Sequence, residues 1–170
     1  MALAIVLMGV SGCGKTSIGQ ALSAELGWSF FEGDDFHSAE NVEKMTSGMP
    51  LNDDERTPWL ESLHDLITEQ LHSETNTILT CSALKAKYRQ YLREENDGVV
   101  FVFLKGDYDL IRSRLHSRND HFMKPEMLIS QFDTLEIPLD ALQLDVDQPI
   151  KVIVQEIIEF LGNEYDLENN

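Results

Sequence analysis

The spacing of apolar residues changes repeatedly along the chain, and the changes predict strands alternating with helices. Leu3–Met8 is a continuous apolar run, as expected of a central strand covered on both faces. Ile18, Ala21, Leu22 and Leu26 then recur at helical spacing and stop at Gly27, a suitable helix end. Residues 28–31 read as a second short strand ending in Glu32-Gly33-Asp34-Asp35, and 41–49 as a weak helix closed by Gly48 and Pro50. Thr57-Pro58 predicts the start of a strong helix, with threonine as cap and proline in the first turn. Its apolar face carries Trp59, Leu60, Leu63, Leu66, Ile67 and Leu71.

Residues 77–80 form a third predicted strand leading into Cys81-Ser82-Ala83, followed by a helix over 85–93 and an apolar fourth strand over 99–104. A helix over 107–116 gives way to the polar stretch 117–120, Pro125 opens a short helix to Phe132, and 142–146 is a weaker fifth strand. Ile150, Ile153, Val154, Ile157, Ile158 and Leu161 make the cleanest helical stripe, and 164–170 is a polar tail expected to fray. This alternation predicts an α/β layered fold with a mostly parallel sheet, and the 170 residues fit one domain. The insertions after the second strand and before Pro125 are long enough to move as flaps.

Charge narrows the function classes. Thirteen Lys and Arg against thirty Asp and Glu give a net charge of −17. That excludes a general nucleic-acid binder and a protein that docks on anionic lipid. It leaves room for an anionic small molecule, because a local basic cluster prevails within a screening length. The apolar N-terminal run lacks a preceding cationic region and is far shorter than the ~20 residues of a membrane span, so it reads as a strand and not a targeting segment. Cys13 and Cys81 are the only cysteines, which predicts reduced thiols and a cytoplasmic protein.

One motif carries explicit chemistry. Gly9-Val10-Ser11-Gly12-Cys13-Gly14-Lys15-Thr16 satisfies G-x-x-x-x-G-K-[ST], with a strand before and a helix after it. Its backbone amides, continuing into Ser17, form a nest for the phosphates of ATP at a helix N-terminus. Lys15 neutralises the β and γ phosphates, and the Thr16 hydroxyl is a Mg²⁺ ligand. An N-K-x-D base-recognition motif is absent, and Leu79-Thr80-Cys81-Ser82 ends without the aspartate of large ATPases. A small-molecule kinase remains, with Asp34 and Asp35 at the end of the second strand facing the same crevice as the phosphate loop.

The residues around these acids resemble one family. Gly33-Asp34-Asp35-Phe36-His37, Asn41, Lys44-Met45, Gly48, Pro50-Leu51-x-Asp53 and Arg56-x-Pro58-Trp59-Leu60 resemble the gluconate kinase (gluconokinase) family of P-loop small-molecule kinases. So do Cys81-Ser82-Ala83-Leu84-Lys85, Tyr88-Arg89, Leu92-Arg93, Arg114-x-x-x-Arg118-x-x-His121-Phe122-Met123 and Ser130-Gln131-Phe132-x-x-Leu135-Glu136-x-Pro138. The resemblance spans about residues 5–160. It implies a three-layer fold like that of nucleoside monophosphate kinases, with a five-stranded parallel sheet, a substrate-side insertion over about 36–75 and a mobile lid over about 117–135. It also implies phosphorylation of D-gluconate at its 6-hydroxyl by ATP, and a homodimer. Cys13, Ser38, Glu55 and Ile137 depart from the usual family residues, and none of these removes a charge assigned to catalysis.

Within this frame Asp34 is the candidate base, or the acid that orients the acceptor hydroxyl, and Asp35 shares that role or holds a water of the Mg²⁺ ion. His37 hydrogen-bonds acceptor hydroxyls or is a capping or core histidine. Arg56 is the leading partner for the gluconate carboxylate, because a guanidinium matches a carboxylate bidentately. Lys85 is a second cation near the crevice, and Ser82 contacts substrate hydroxyls or satisfies the strand end. By resemblance, Arg114 lies by the adenine, Arg118 closes on the phosphates from the lid, and His121 is a lid residue. Trp59 belongs to the apolar face of its helix and is expected in the core. A related kinase for another hydroxy acid such as shikimate, or a module that binds ATP without turnover, are the competing readings.

Overall fold

Successive residues of the first strand, β1 (Ala4–Met8), face opposite sides of the sheet, and both sides are dry. The computed structural model describes residues 1–117 and 124–165. On one side Leu3, Ile5 and Leu7 pack with Ile18 and Leu22 of α1 (Lys15–Leu26) and with Ile153, Val154, Ile157 and Leu161 of α7 (Ile150–Tyr165). On the other, Ala4, Val6 and Met8 meet Trp59, Leu60, Leu63 and Ile67 of α3 (Asp53–His72) and Tyr88 and Leu92 of α4 (Ala86–Arg93). Two cores lie on opposite faces of this strand, which is why its sequence is apolar throughout and does not alternate.

The remaining strands are β2 (Ser29–Glu32), β3 (Thr77–Thr80), β4 (Val99–Lys105) and β5 (Leu142–Asp145). All pairs are parallel, in the order β2-β3-β1-β4-β5. Leu7 of β1 therefore stands level with Thr80 on one side and Val102 on the other. The connection after β1 runs to one side, toward β2, and that after its neighbour β4 runs to the other, toward β5. The crevice beyond the carboxyl ends at such a reversal is where an open α/β sheet binds ligands. The expected α/β layers and five-stranded parallel sheet are present.

Two boundaries differ from the sequence expectation. α3 begins at Asp53, not at Thr57-Pro58. The Asn52 side chain accepts the Glu55 N–H at 2.8 Å, and the Glu55 carboxylate accepts the Asn52 N–H at 2.8 Å. This reciprocal pair satisfies two otherwise orphan amides and sets the helix start a turn earlier. α7 continues to Tyr165, because its apolar face holds it on the sheet, so 164 and 165 are helical and only 166–170 of the expected tail lie outside the described residues.

The insertion after β2 divides in two. α2 (Ala39–Thr46) buries none of its residues, whereas α3 buries four, Trp59, Leu60, Leu63 and Ile67. Of the two helices, only α2 can shift without uncovering buried side chains of its own. Lys44 fastens α2 to α3 by a 2.6 Å ion pair with Glu55, and this contact, with the Asn52 amide, lowers the Glu55 pKa. Beyond β4 come α5 (Tyr108–Ser117) and α6 (Pro125–Thr134). The centre of the second expected flap falls between them, outside the described residues.

Candidate active site

β1 ends at Met8, and the chain curls through Gly9–Gly14 into the first turn of α1. Gly14 adopts φ 101°, a left-handed conformation that glycine tolerates, and no side chain caps the helix behind it. The leading amides of α1 are thus left for an external anion. Lys15 is the first helical residue, half-buried, and not part of an exposed loop as its position in the motif suggests. Its Nζ donates to the carbonyls of Gly9 at 2.9 Å and Val10 at 3.0 Å. Val10 and Cys13 turn their side chains into the core, leaving backbone to line the loop, so a thiol at position 13 changes packing and not the phosphate-facing surface.

The end of β2 meets the start of α1 through Glu32. The Thr16 hydroxyl donates to Glu32 Oε2 at 2.6 Å, and the Thr80 hydroxyl donates to Glu32 Oε1 while accepting the Gly33 N–H at 3.1 Å. Glu32 is paired with Thr80 in the sheet register. In sequence it is only one more acid before two aspartates, and the β2–β3 pairing is what gives it a role. A Cβ on Gly33 would sit 2.0 Å from the Thr80 carbonyl oxygen, so this close approach demands glycine. Gly33–Phe36 then forms a 3₁₀ turn that presents Asp34 and Asp35, both exposed.

Trp59 braces this turn. It is buried, as its helical spacing predicts, and its Nε1 donates to the Gly33 carbonyl at 2.8 Å. His37 stacks on its ring with centroids 4.3 Å apart and planes 13° off parallel. His37 Nε2 lies 4.0 Å from Asp34 Oδ1, and its Nδ1 is buried without a partner among the described residues. Burial lowers the His37 pKa, Asp34 opposes this, and Arg56 adds to it. The neutral ring is therefore favoured in the fold. A histidine with a lowered folded pKa costs stability as the pH falls through about 6.5, where the unfolded ring takes up its proton first. Denaturant titrations at pH 7.5 and 5.5 are expected to show a smaller loss of stability for His37→Asn than for the parent chain.

The two candidate carboxylate anchors differ. Lys85, the N-cap of α4, pairs with Asp53 at 2.9 Å. Asp53 also accepts from Lys87 and from the Tyr88 hydroxyl, and these contacts, Lys87 first, hold its carboxyl well below the usual range. Burial and then Asp53 push the Tyr88 phenol up to about 12. Arg56, by contrast, has no carboxylate partner among the described residues. Its guanidinium carbon lies 5.6 Å from the Tyr88 ring centroid, and its Nε is buried and unpartnered among the described residues. Burial pushes the Cys81 thiol up to about 12, with Asp34, Lys15 and Arg56 all acting on it. Ser82, just beyond, accepts the Gly9 N–H on its carbonyl at 3.3 Å and ties the end of β3 to the glycine loop.

On the far side of the loop, a cleft of about 170 Å³ is lined by Gly12, Gly14, Ser17, Arg114, Val146 and Gln148 among others. An Arg114 Nη donates to the Val146 carbonyl at 2.5 Å, spanning α5 and the segment after β5. Arg118 and His121 lie outside the described residues. Across the crevice, Lys124 donates to the Ser47 carbonyl at 3.0 Å, joining the start of α6 to the end of α2.

A phosphate loop after the central strand, acids at the end of β2 and a cation across from them define a P-loop kinase of a small molecule. Comparison with known proteins refines the class. A family model described as Shikimate kinase matches residues 11–161. The thermoresistant gluconokinase of Escherichia coli is 45% identical over 160 residues, covering 92% of this chain and 91% of that protein. The crystal structure of a gluconokinase from Sinorhizobium meliloti superposes with TM-score 0.86 at 42% identity, covering 96% of this chain and 94% of that one. A shikimate kinase structure from Aquifex aeolicus has TM-score 0.58 at 18% identity, a likeness of fold alone. The chain belongs to the shikimate kinase family of P-loop kinases and, within it, to the gluconokinases.

Proposed function

We propose that the protein transfers the γ-phosphoryl group of ATP to the 6-hydroxyl of D-gluconate, giving 6-phospho-D-gluconate and ADP. The observation that carries the acceptor assignment is Arg56. It is a guanidinium without a carboxylate partner among the described residues, held against the Tyr88 ring with its Nε buried and unpartnered. An acceptor carboxylate on Arg56 leaves the rest of a sugar-acid chain to extend toward Asp34. Asp34, whose charge reaches both His37 and Cys81, is the better placed acid to orient the hydroxyl. Asp35 has no comparable contact among the described residues, and Lys85 is already paired with Asp53.

The loop residues Gly9, Val10, Ser11, Gly12, Cys13 and Gly14 and the uncapped first turn of α1 fit a triphosphate chain, and the cleft beside Ser17 and Arg114 fits its base. The Thr16 hydroxyl and the Glu32 carboxylate, 2.6 Å apart, supply the hard oxygens that suit Mg²⁺. Bound there, Mg²⁺ would offset the negative charge of the phosphate oxygens. Phosphoryl transfer asks mainly for alignment and charge stabilisation. Lys15 would neutralise the β and γ phosphates, and His37 and Ser82 are assigned to the acceptor. The roles proposed for Arg118 toward the phosphates and His121 toward the acceptor fall outside the described residues. The same reading is of a single domain, a cytoplasmic homodimer without nucleic-acid or membrane partners. Its support is the net charge of −17 and two buried free cysteines. Among the described residues no helix is long and apolar enough to cross a membrane.

A coupled ADP-release assay over a panel of sugar acids and shikimate tests the reading. Turnover is expected with gluconate, and turnover with shikimate alone would overturn it. Arg56→Lys is expected to raise KM for the acceptor by about one to two decades, the equivalent of roughly 1.5–3 kcal/mol for a charge-assisted bond. KM for ATP should change little, and equal effects on both would move Arg56 out of the acceptor site.

A further inference from the structure

Gln131 of α6 reaches the phosphate loop, 120 residues away in sequence, and makes two bonds to Ser11. The Ser11 N–H lies 2.7 Å from Gln131 Oε1, and Ser11 Oγ lies 3.0 Å from Gln131 Nε2. The chemistry of the four groups fixes their roles. A backbone N–H only donates, so the amide oxygen must face it, and the amide nitrogen must then donate to the hydroxyl. The Ser11 oxygen is an acceptor in this pair, and its own proton has to point elsewhere. No acceptor for that proton is found among the described residues, although Ser11 is half-buried.

Ser11 also sits at a definite place on the phosphate track. The cleft beside Arg114 marks the base end of the loop and includes Gly12, Cys13, Gly14 and Ser17 but not Ser11. The Lys15 ammonium rests on the carbonyls of Gly9 and Val10, the two residues just before Ser11. Ser11 is therefore at the lysine end, to which the triphosphate reading assigns the terminal phosphoryl group. α6 holds Gln131 there because Leu128 is buried in the core and Phe132 packs edge-on against Tyr108.

We propose that the Ser11 hydroxyl donates a hydrogen bond to the terminal phosphoryl group of the bound nucleoside triphosphate, and that Gln131 is the positioning residue that aims it. This rests on the reading of Gly9–Thr16 as a triphosphate cradle and is independent of which acceptor is used. Gln131 supplies no charge and touches no reacting atom. It removes the hydroxyl's freedom to rotate, so the donor is aligned before the nucleotide arrives.

The test compares binding of ADP with that of a non-hydrolysable ATP analogue, by calorimetry, in the full chain and in Ser11→Ala, Gln131→Met, the double variant and Ser11→Thr. ADP affinity should stay within about twofold throughout, since ADP lacks the terminal group. Analogue affinity should fall about five- to tenfold in each single variant and no further in the double, the mark of two residues acting as one unit. Ser11→Thr, which retains the hydroxyl, should restore the discrimination. Equal weakening of both nucleotides would show a merely structural loop contact and overturn the proposal, as would multiplying effects in the double variant or unchanged analogue binding. If the parent chain shows this discrimination but no gluconate-dependent ADP release, the acceptor reading fails and this one stands.

Discussion

Lys15→Ala is expected to lower kcat by at least about 10²–10³-fold, the scale for removing one preorganised stabiliser of transition-state charge. Lys15 is half-buried at the head of α1, and its ammonium lies against the glycine loop through the Gly9 and Val10 carbonyls. Gly9 and Val10 are themselves buried, so removing the ammonium leaves their carbonyls without this donor. The variant is expected to fold with a thermal midpoint lower by several degrees, and kcat is compared on the folded protein. Lys15→Arg should not restore the rate, because a planar fork cannot occupy the place of a compact point charge between two carbonyls. A purified Lys15→Ala protein with near-parental kcat would deprive the loop of any catalytic meaning.

Asp34→Asn is expected to fall almost wholly on kcat, by about 10²–10⁴-fold, the range for a positioned acid–base group. The turn that carries Asp34 is held by Gly33 against Thr80 and by the Trp59 indole on the Gly33 carbonyl. Neither contact uses the Asp34 side chain, which is 82% exposed. The substitution should therefore spare stability and ATP binding. Asp35→Asn, made in parallel, should leave kcat within a few-fold. The reverse pattern would transfer the hydroxyl-orienting role to Asp35, and a fall in thermal stability with kcat preserved would make Asp34 a turn residue only.

Much of this architecture is legible in the chain because it depends on local rules. The uninterrupted apolar run of β1, the glycine-lysine loop and the stripe of α7 each declare themselves within a dozen residues. The start of α3 is less legible because two cap signals compete within six residues. Thr57-Pro58 is a plausible beginning, but Asn52 and Glu55 satisfy each other's backbone and prevail. Glu32 and Asp53 carry no local signal at all. Glu32 matters because β2 lies beside β3, and Asp53 because α3 packs next to α4 and gathers Lys85, Lys87 and Tyr88. The same pairing explains why Lys85 looks in sequence like a free cation. Gln131 is conspicuous only within the resemblance, and its partner is visible only once α6 is folded over the loop.

The two outermost strands limit how copies of this chain can associate. β2 and β5 are each four residues long and, among the described residues, leave one flank unpaired. Short borders of this kind offer a neighbouring chain few backbone groups on which to extend a sheet, a common protection against runaway aggregation. At the β2 border the restriction is also chemical. A strand added there would run beside Glu32 and crowd the turn bearing Asp34, so growth of the sheet would be bought with access to the crevice. Pairing of two copies through β2 and an open crevice are therefore in conflict.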